Sequence, residues 1–304
     1  MSEVLRKEDI RIIFIGTSSD YSLACLDAIR KDGFEVVGLI DSYRRKKRYT
    51  RWDKRMVLKS QLRKYGNENR IPVIATDNMN SSEAEHFIRE KGTNLICVAS
   101  ACQLLKENII NIPFYGVMNA HGALLPDYRG ADPTYWIFLN HEQEGGVTLH
   151  YIDIGEDTGD IITQKKFQIP FGMSSVEYHE EETKAAVDAY REALNSLVSR
   201  TIERKRQGDS SHPQARNVTR DDFLLEYEQM EVENVYHFLM GTDGISQIYT
   251  GWLYSYDIYE YKKGSFVSIG KYDIRCKDGI VCVRRRIVPV SAIKKLLKTI
   301  MMTF

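Results

Sequence analysis

Short apolar runs alternate with helix-type patterns through the first hundred residues of the chain. Residues 11–17, RIIFIGT, form a continuous apolar run, and residues 22–31 then carry apolar side chains at helical spacing. Strand, helix, strand repeats of this kind form βαβ units with parallel strands. The sequence therefore predicts an α/β fold with an open, doubly wound parallel sheet. The further strand-type runs are residues 35–41, 72–76 and 94–100, with a second helical pattern at 81–91.

In an open parallel sheet, ligands bind beyond the carboxyl ends of the strands, near the point where the strand order reverses. The loops after Thr17, Asp41, Ser100 and Met118 are therefore expected to share one edge. The stretch 119–136, NAHGALLPDYRGADPTYW, lies at that edge. This places a polar, proline-broken segment where a ligand would bind.

The second part of the chain has a different pattern. Residues 174–205 are predicted to form one long helix, and residues 207–216, QGDSSHPQAR, have the composition of a linker. Further on, a helical pattern at 232–240 precedes short strand-type runs separated by Lys-Gly and Asp-Gly turns. These runs are residues 252–258, 265–269 and 280–283. We predict a larger domain at 1–205, a linker at 206–220 and a small β-rich domain at 221–304.

Composition narrows the class of protein. The 42 basic residues balance the 42 acidic ones, so net charge gives no reason to expect a polyanionic partner. The five cysteines include no CxxC pair, which favours reduced thiols in the cytoplasm. No signal peptide is recognisable at the N-terminus, and no apolar stretch reaches the roughly 18 residues of a membrane span. A cytoplasmic protein without a transmembrane segment is expected.

Three polar residues suggest acyl transfer. Asn119 and His121 are two residues apart, so an extended segment places both side chains on one face. When an amine attacks an acyl carbon, the developing oxyanion needs a donor such as an amide, and the amine must lose a proton. Asp157, in a glycine-bounded turn, is the candidate for orienting His121. Each residue also has a structural alternative: a turn cap, a satisfied interior histidine and a turn carboxylate.

These residues belong to an ordered block that resembles the folate-dependent formyltransferase family. The block contains Asn-x-His, Leu-Leu-Pro-x-Tyr-Arg-Gly, Pro133, Gly-Val-Thr and Asp-Thr-Gly-Asp, within residues 116–162. The family includes methionyl-tRNA formyltransferase, glycinamide ribonucleotide transformylase and enzymes that act on nucleotide-linked amino sugars. The resemblance implies a Rossmann-like catalytic domain, 10-formyltetrahydrofolate as formyl donor and an amine acceptor. It also implies Asn119, His121 and Asp157 as catalytic residues, with no metal.

The resemblance further implies where the folate and the acceptor bind. The pterin ring is expected between the loop after the fourth strand and the loop that carries Asp157. Ala123 stands where the family more often has serine, which puts one hydrogen bond in doubt. The expected cofactor-binding residues are Ser100, Ala101, Cys102, Gln103, Leu104, Leu125, Pro126, Ile152, Gly155 and Glu156. The expected substrate-binding residues are Tyr128, Arg129, Arg44 and Arg45. For Arg129 the preferred alternative is structural, with the guanidinium tying its loop to a neighbouring carboxylate.

The acceptor is the open question. The length of the chain favours an amino sugar or tRNA enzyme over the smaller transformylases, and the preferred acceptor is a nucleotide-linked amino sugar, as in lipopolysaccharide or O-antigen synthesis. A tRNA acceptor is supported by residues 44–55, RRKKRYTRWDKR. This run has eight basic residues, one acidic residue and two aromatic rings. Against tRNA, the Pro- and Gly-rich sequence usual for this loop is missing. A formyltetrahydrofolate deformylase and a folate-binding protein without activity are the remaining alternatives.

The C-terminal tail is amphipathic. In residues 291–304, SAIKKLLKTIMMTF, apolar side chains fall near one helical face and lysines fall elsewhere. Such a helix could rest on an anionic membrane surface, but docking on the protein itself or on a partner subunit is the preferred interpretation. The family resemblance favours a homodimer.

Overall fold

The computed structural model describes residues 5–43, 60–249, 254–265 and 269–287 of the 304-residue chain. The basic run at 44–55, with Arg44 and Arg45, and the tail at 291–304 lie outside these ranges. Most of the predicted strand at 265–269 lies outside them as well.

A seven-stranded sheet forms the centre of the larger part of the chain. Its strand order is β3-β2-β1-β4-β5-β6-β7, in which β1 to β5 run parallel and β6 runs antiparallel to β5. The predicted doubly wound α/β architecture is confirmed, and the order reverses between β1 and β4. The strands are β1 (Arg11–Gly16), β2 (Glu35–Ser42), β3 (Val73–Thr76), β4 (Leu95–Ala99), β5 (Val117–His121), β6 (Glu144–Tyr151) and β7 (Ile161–Gln168).

Both faces of the sheet are buried at its central strands β1 and β4, which explains the continuous apolar runs in the sequence. On β1, Ile12 and Phe14 belong to one buried cluster, whereas Ile13 and Ile15 belong to another. Side chains of a strand alternate between faces, so a strand covered on both sides needs apolar residues at every position. Helices supply the cover, because the first cluster also contains Tyr190 and the second contains Ile88.

The helices begin and end at recognisable signals. The first one starts where the Ser19 hydroxyl accepts a hydrogen bond from the Ser22 backbone N–H. Three short 3₁₀ turns are also described, at Lys7–Asp9, Arg220–Phe223 and Tyr227–Gln229. None of the described helices combines the length and the apolar character needed to cross a membrane. The α-helices are α1 (Asp20–Lys31), α2 (Gln61–Glu68), α3 (Ser82–Glu90), α4 (Glu107–Ile110), α5 (Pro133–Leu139), α6 (Ser175–Val198), α7 (Val232–Thr242) and α8 (Gly244–Ile248).

The predicted helix at 174–205 is too long. Helix α6 ends at Val198, and Arg200 adopts a left-handed φ of 56°. Lys205 then forms two backbone hydrogen bonds of 2.8 Å with Ile161, at the start of β7. An isolated β-bridge at Lys205 therefore stands where the helix was predicted to end, and the chain turns back to the sheet.

The chain divides into two compact units that alternate along the sequence. The first comprises residues 1–130, 145–167 and 181–214, and the second comprises residues 131–144, 168–180 and 215–304. Within the second unit, a three-stranded antiparallel sheet has the order β8-β10-β9, with β8 (Tyr254–Lys263), β9 (Ile274–Arg275) and β10 (Gly279–Ile287). A small β-rich C-terminal region is thus present. The domain boundaries at 205 and 220 stay a prediction, separate from these units.

Candidate active site

The carboxyl-terminal half of β5 carries Asn119 and His121. The predicted loop after Met118 is therefore wrong at its start, because the strand continues to His121. Strand β6 pairs with it, so that Asn119 lies opposite His150 and His121 lies opposite Thr148. The His121 side chain is 6% exposed, and Asn119 is half-buried. The two predicted residues thus share one strand beside a second histidine.

Asp157 joins these residues from the turn between β6 and β7. Its Oδ2 lies 3.5 Å from His121 Nδ1 and accepts a hydrogen bond of 3.0 Å from the Gly130 backbone N–H. Its Oδ1 lies 3.5 Å from Asn119 Nδ2 and 3.4 Å from His150 Nε2. The structure therefore brings the three predicted residues together. The backbone of Asp157 adopts a left-handed φ of 53° in the turn where its carboxylate contacts these residues.

The ionisation of Asp157 is set by opposing effects. Burial disfavours the charged form, since the side chain is 15% exposed. When their rings are protonated, the charge of His121 and the hydrogen bond and charge of His150 favour the charged form, and with the Gly130 N–H they lower the pKa of Asp157 to about 2. Asp157 is thus a carboxylate at neutral pH and a weak base.

The ring of His121 faces oxygen atoms on both sides. Its Nε2 lies 2.8 Å from the Tyr128 carbonyl oxygen, and its Nδ1 faces the Asp157 carboxylate. A carbonyl only accepts hydrogen bonds, so Nε2 donates to it when this nitrogen carries a hydrogen, and a ring with two hydrogens also forms an ion pair with Asp157. The site is therefore arranged for an imidazolium, which can stabilise negative charge and release a proton.

The turn that follows β5 is held by buried hydrogen bonds. The Thr148 hydroxyl donates to the Ala123 carbonyl at 2.6 Å and accepts from the Leu125 backbone N–H at 3.0 Å. Gln164 Nε2 donates to the Leu125 carbonyl at 2.8 Å, and the Leu125–Pro126 peptide bond is cis. Ala123 is thus held through its backbone. The turn delivers the Tyr128 carbonyl and the Gly130 N–H to the site.

Arg129, predicted to bind the acceptor or to pair with a carboxylate, contacts an amide instead. Its guanidinium donates to Gln207 Oε1 through Nε at 3.0 Å and Nη2 at 2.8 Å, and to the Gly208 carbonyl at 3.1 Å. Gln207 Nε2 donates to the backbone oxygens of Asp157 at 2.9 Å and Gly159 at 2.7 Å. The start of the predicted linker is therefore part of the site's support.

The predicted folate-binding residues lie in three segments that follow the adjacent strands β4, β5 and β6. After β4, Ser100 has a φ of 64°, and Leu104 is 57% exposed. The Gln103 side chain forms hydrogen bonds within the first unit. Its Oε1 accepts from the Met79 N–H at 2.9 Å, and its Nε2 donates to the Asp77 carbonyl. The Cys102 N–H donates to the Ser42 hydroxyl at 3.0 Å. Ala101, between Ser100 and Cys102, is exposed.

The remaining predicted folate-binding residues flank Asp157 or precede Tyr128. The Ile152 N–H donates to the Val117 carbonyl at 2.8 Å, the Gly155 N–H donates to Asp153 at 3.0 Å, and Glu156 accepts a hydrogen bond from Gln214. Ile154, between them, is 75% exposed. Leu125 is buried, and Pro126 forms the cis bond already described.

His150 is the site residue that sequence reasoning missed. It lies within an apolar strand, where a histidine suggests only a satisfied interior side chain. The signal is its register, because antiparallel pairing of β5 with β6 places it directly opposite Asn119. Within the described ranges, no group of three or more His, Cys, Asp or Glu residues could hold a metal ion.

Comparison of the sequence with known proteins finds formyltransferases. The sequence model of the family described as formyl transferase matches residues 10–194. The chain is 26% identical over 239 residues to a methionyl-tRNA formyltransferase of Ruminiclostridium cellulolyticum, covering 77% of this chain and 73% of that protein. It is 30% identical over 200 residues to the methionyl-tRNA formyltransferase of Acetivibrio thermocellus, covering 64% and 61%.

Two solved structures share the fold along nearly the whole chain. One is the sugar 3N-formyl transferase WlaRD, determined with dTDP and 5-N-formyl-THF, with a TM-score of 0.60, 20% identity and coverage of 92% of this chain and 98% of that one. The other is an N-formyltransferase from Helicobacter canadensis in complex with folinic acid and dTDP-3-aminofucose, with a TM-score of 0.60, 20% identity and coverage of 90% and 99%.

Proposed function

The chain belongs to the formyl transferase family, and from this premise we propose that it moves a formyl group from 10-formyltetrahydrofolate to the primary amine of a nucleotide-linked amino sugar. The observation that carries the proposal is the contact of Asn119, His121 and Asp157 at the end of β5. An amide donor, a ring arranged as an imidazolium and a carboxylate meet there. Catalysis of formyl transfer to an amine needs a donor for the developing oxyanion and a group that transfers protons, and these residues can supply both.

The loops beside the cluster fit a folate. A pterin ring is flat and needs apolar surfaces together with backbone donors and acceptors. Leu104 and Ile154 are exposed apolar side chains, one in each of the two loops expected to hold this ring. When bound, 10-formyltetrahydrofolate supplies a formyl group on nitrogen. The residues expected to hold it are the ten predicted above, which lie within 100–104, 125–126 and 152–156.

In the proposed mechanism the acceptor amine attacks the formyl carbon, and the carbonyl oxygen becomes negative. Asn119 Nδ2 and the His121 imidazolium stabilise this charge. Because its pKa is about 2, Asp157 is a poor proton acceptor, so its role is to orient His121. His121 can give a proton to the departing nitrogen and recover one from the attacking ammonium. The protons then balance over one turnover.

The choice of an amino sugar rests on two observations. Two solved structures, a sugar 3N-formyl transferase and an N-formyltransferase determined with dTDP-3-aminofucose, share the fold over 92% and 90% of this chain. The chain as a whole carries no net positive charge, although a tRNA ligand favours basic surfaces. Methionyl-tRNA formyltransferase is the second candidate, because the sequence relatives carry that activity in their names and the run at 44–55 is basic. A cytoplasmic location and a homodimer stay predictions.

The decisive test follows tetrahydrofolate release from 10-formyltetrahydrofolate. The purified protein is incubated without acceptor, with a panel of nucleotide-linked amino sugars, and with initiator methionyl-tRNA, with the Asn119→Ala protein as a matched control. Release with an amino sugar, together with the formylated sugar by mass, is the expected result. Release only with tRNA would move the assignment to the second candidate, and release without any amine would identify a deformylase.

A further inference from the structure

His150 contacts polar atoms with both of its ring nitrogens. The residue is 1% exposed, its Nδ1 lies 2.9 Å from the Tyr151 carbonyl oxygen, and its Nε2 lies 3.1 Å from Asn119 Nδ2. Because a carbonyl oxygen only accepts hydrogen bonds, Nδ1 carries a hydrogen. In the neutral ring Nε2 is therefore an acceptor, and it accepts from the amide of Asn119.

The geometry also fixes which end of the Asn119 amide faces the cluster. Asp157 Oδ1, which lies 3.5 Å from the same Asn119 atom, accepts hydrogen bonds but cannot donate them when ionised. Two acceptors, His150 Nε2 and Asp157 Oδ1, thus face this one atom. Only the amide nitrogen, and not the amide oxygen, satisfies both.

The two acceptors cannot both lie in line with an N–H of the Asn119 amide. Asn119 Nδ2, His150 Nε2 and Asp157 Oδ1 form a triangle with sides of 3.1, 3.4 and 3.5 Å, close to equilateral. The two N–H bonds of an amide diverge by about 120°, twice the angle that such a triangle offers. When one N–H lies in line with His150 Nε2, the shorter contact, the second N–H lies out of line with Asp157 Oδ1. That second N–H is the one available to an oxyanion.

We propose that His150 is a positioning residue that orients the Asn119 amide so that its second N–H is aimed at the formyl oxygen. The inference rests on the proposed function. His150 makes the shorter of the two contacts described for Asn119 Nδ2. Without it, the amide keeps only the 3.5 Å contact with Asp157 and is free to rotate. A misaimed donor reduces transition-state stabilisation and leaves folate binding unchanged.

The first experiment compares two substitutions. His150→Met removes the acceptor at similar volume, and we expect kcat to fall by about 10-fold to 100-fold, with KM for the formyl donor within about 3-fold of wild type. His150→Gln places an amide oxygen near the position of Nε2, so most of the lost kcat should return. The exposed His86→Met, on α3, is the matched control. A His150→Met enzyme with wild-type kcat, or a folded His150→Gln enzyme no better than His150→Met, would overturn the proposal.

A double-mutant cycle separates positioning from a purely structural role. If His150 acts through Asn119, His150→Met should reduce kcat by less than about 2-fold further in the Asn119→Ala background. A full further loss in that background would show that His150 acts independently of Asn119.

A measurement that does not depend on catalytic turnover tests this inference separately from the proposed function. ¹⁵N NMR of the folded protein at neutral pH should show an unprotonated Nε2 for His150, and the Asn119 side-chain amide signal should shift in His150→Met. A protonated Nε2, or an unshifted amide signal, would refute the hydrogen bond even if no acceptor is found. Absence of formyl transfer by the wild type with all amines would instead refute the proposed function.

Discussion

The Arg129 guanidinium and the Gln207 side chain are joined by two hydrogen bonds, of 3.0 Å and 2.8 Å, to the same amide oxygen. The amide nitrogen of Gln207 holds the backbone of Asp157 and Gly159. One side chain thus links the turn that carries Arg129 to the turn that carries the carboxylate. Residue 207 is far from both turns in sequence, yet it couples their positions.

Gln207→Ala should loosen both turns together. Removing an amide that makes four hydrogen bonds is expected to lower the free energy of unfolding by about 1–3 kcal/mol and to lower kcat by about 10-fold. Denaturant unfolding and steady-state kinetics measure the two effects. The exposed neighbour Arg206→Ala is the control, and equal effects of both substitutions would show that the Gln207 bridge is unimportant.

Asn119→Ala and His121→Ala should each lower turnover by about 100-fold or more, the scale of a lost oxyanion donor or acid and base group. Folate affinity, measured by direct titration, should stay close to wild type because neither side chain is expected to hold the pterin. Asn67→Ala, an exposed residue of α2, serves as the control. Near-normal turnover in either site variant would remove the basis for the proposed mechanism.

Asp157 should contribute stability that depends on pH. Its pKa in the folded protein is about 2, below the ordinary aspartate value, so the contribution is complete above about pH 4 and is lost as pH falls toward 2. Between pH 5 and pH 3 the wild type should lose about 1 kcal/mol of unfolding free energy more than Asp157→Asn, which cannot titrate. Urea unfolding at both pH values tests this, and parallel losses in the two proteins would contradict it.

Gly159→Ala should displace the turn that carries Asp157. A Cβ at this position would lie 1.8 Å from the Tyr151 carbonyl oxygen, a backbone atom that cannot move aside without the strand. We expect a loss of about 2 kcal/mol or more in unfolding free energy, with reduced turnover. At Gly208 an added Cβ meets nothing within 4 Å, so Gly208→Ala is the matched control. A Gly159→Ala protein as stable and active as the control would be inconsistent with this geometry.

Much of the fold was predictable because burial on both faces of the sheet imposes apolar residues at successive positions, as on β1. Asn119, His121 and Asp157 were predictable as candidates because the ordered block around them is distinctive. The end of α6 was not, because Lys205 is held by pairing with Ile161, a contact that local helical spacing cannot anticipate.

The residues that support the site could not be predicted from the sequence. His150 becomes a partner of Asn119 only through the register of β5 and β6. Gln207 lies in a polar stretch whose composition indicates a linker, and its contacts with Arg129 and Asp157 depend on the tertiary fold. Residues that hold a site are thus harder to recognise than residues that form its motif.

The antiparallel pairing of β5 with β6 has a consequence for folding. The contact between Asn119 and His150 joins residues that are 31 positions apart in the sequence. Closing this loop costs conformational entropy before the contacts between the strands can offset it. A chain that had paired only its five parallel strands would present Asn119 and His121 without His150 or Asp157 beside them. Recovery of activity during refolding would therefore report the pairing of β6 with β5, separately from the formation of the parallel sheet.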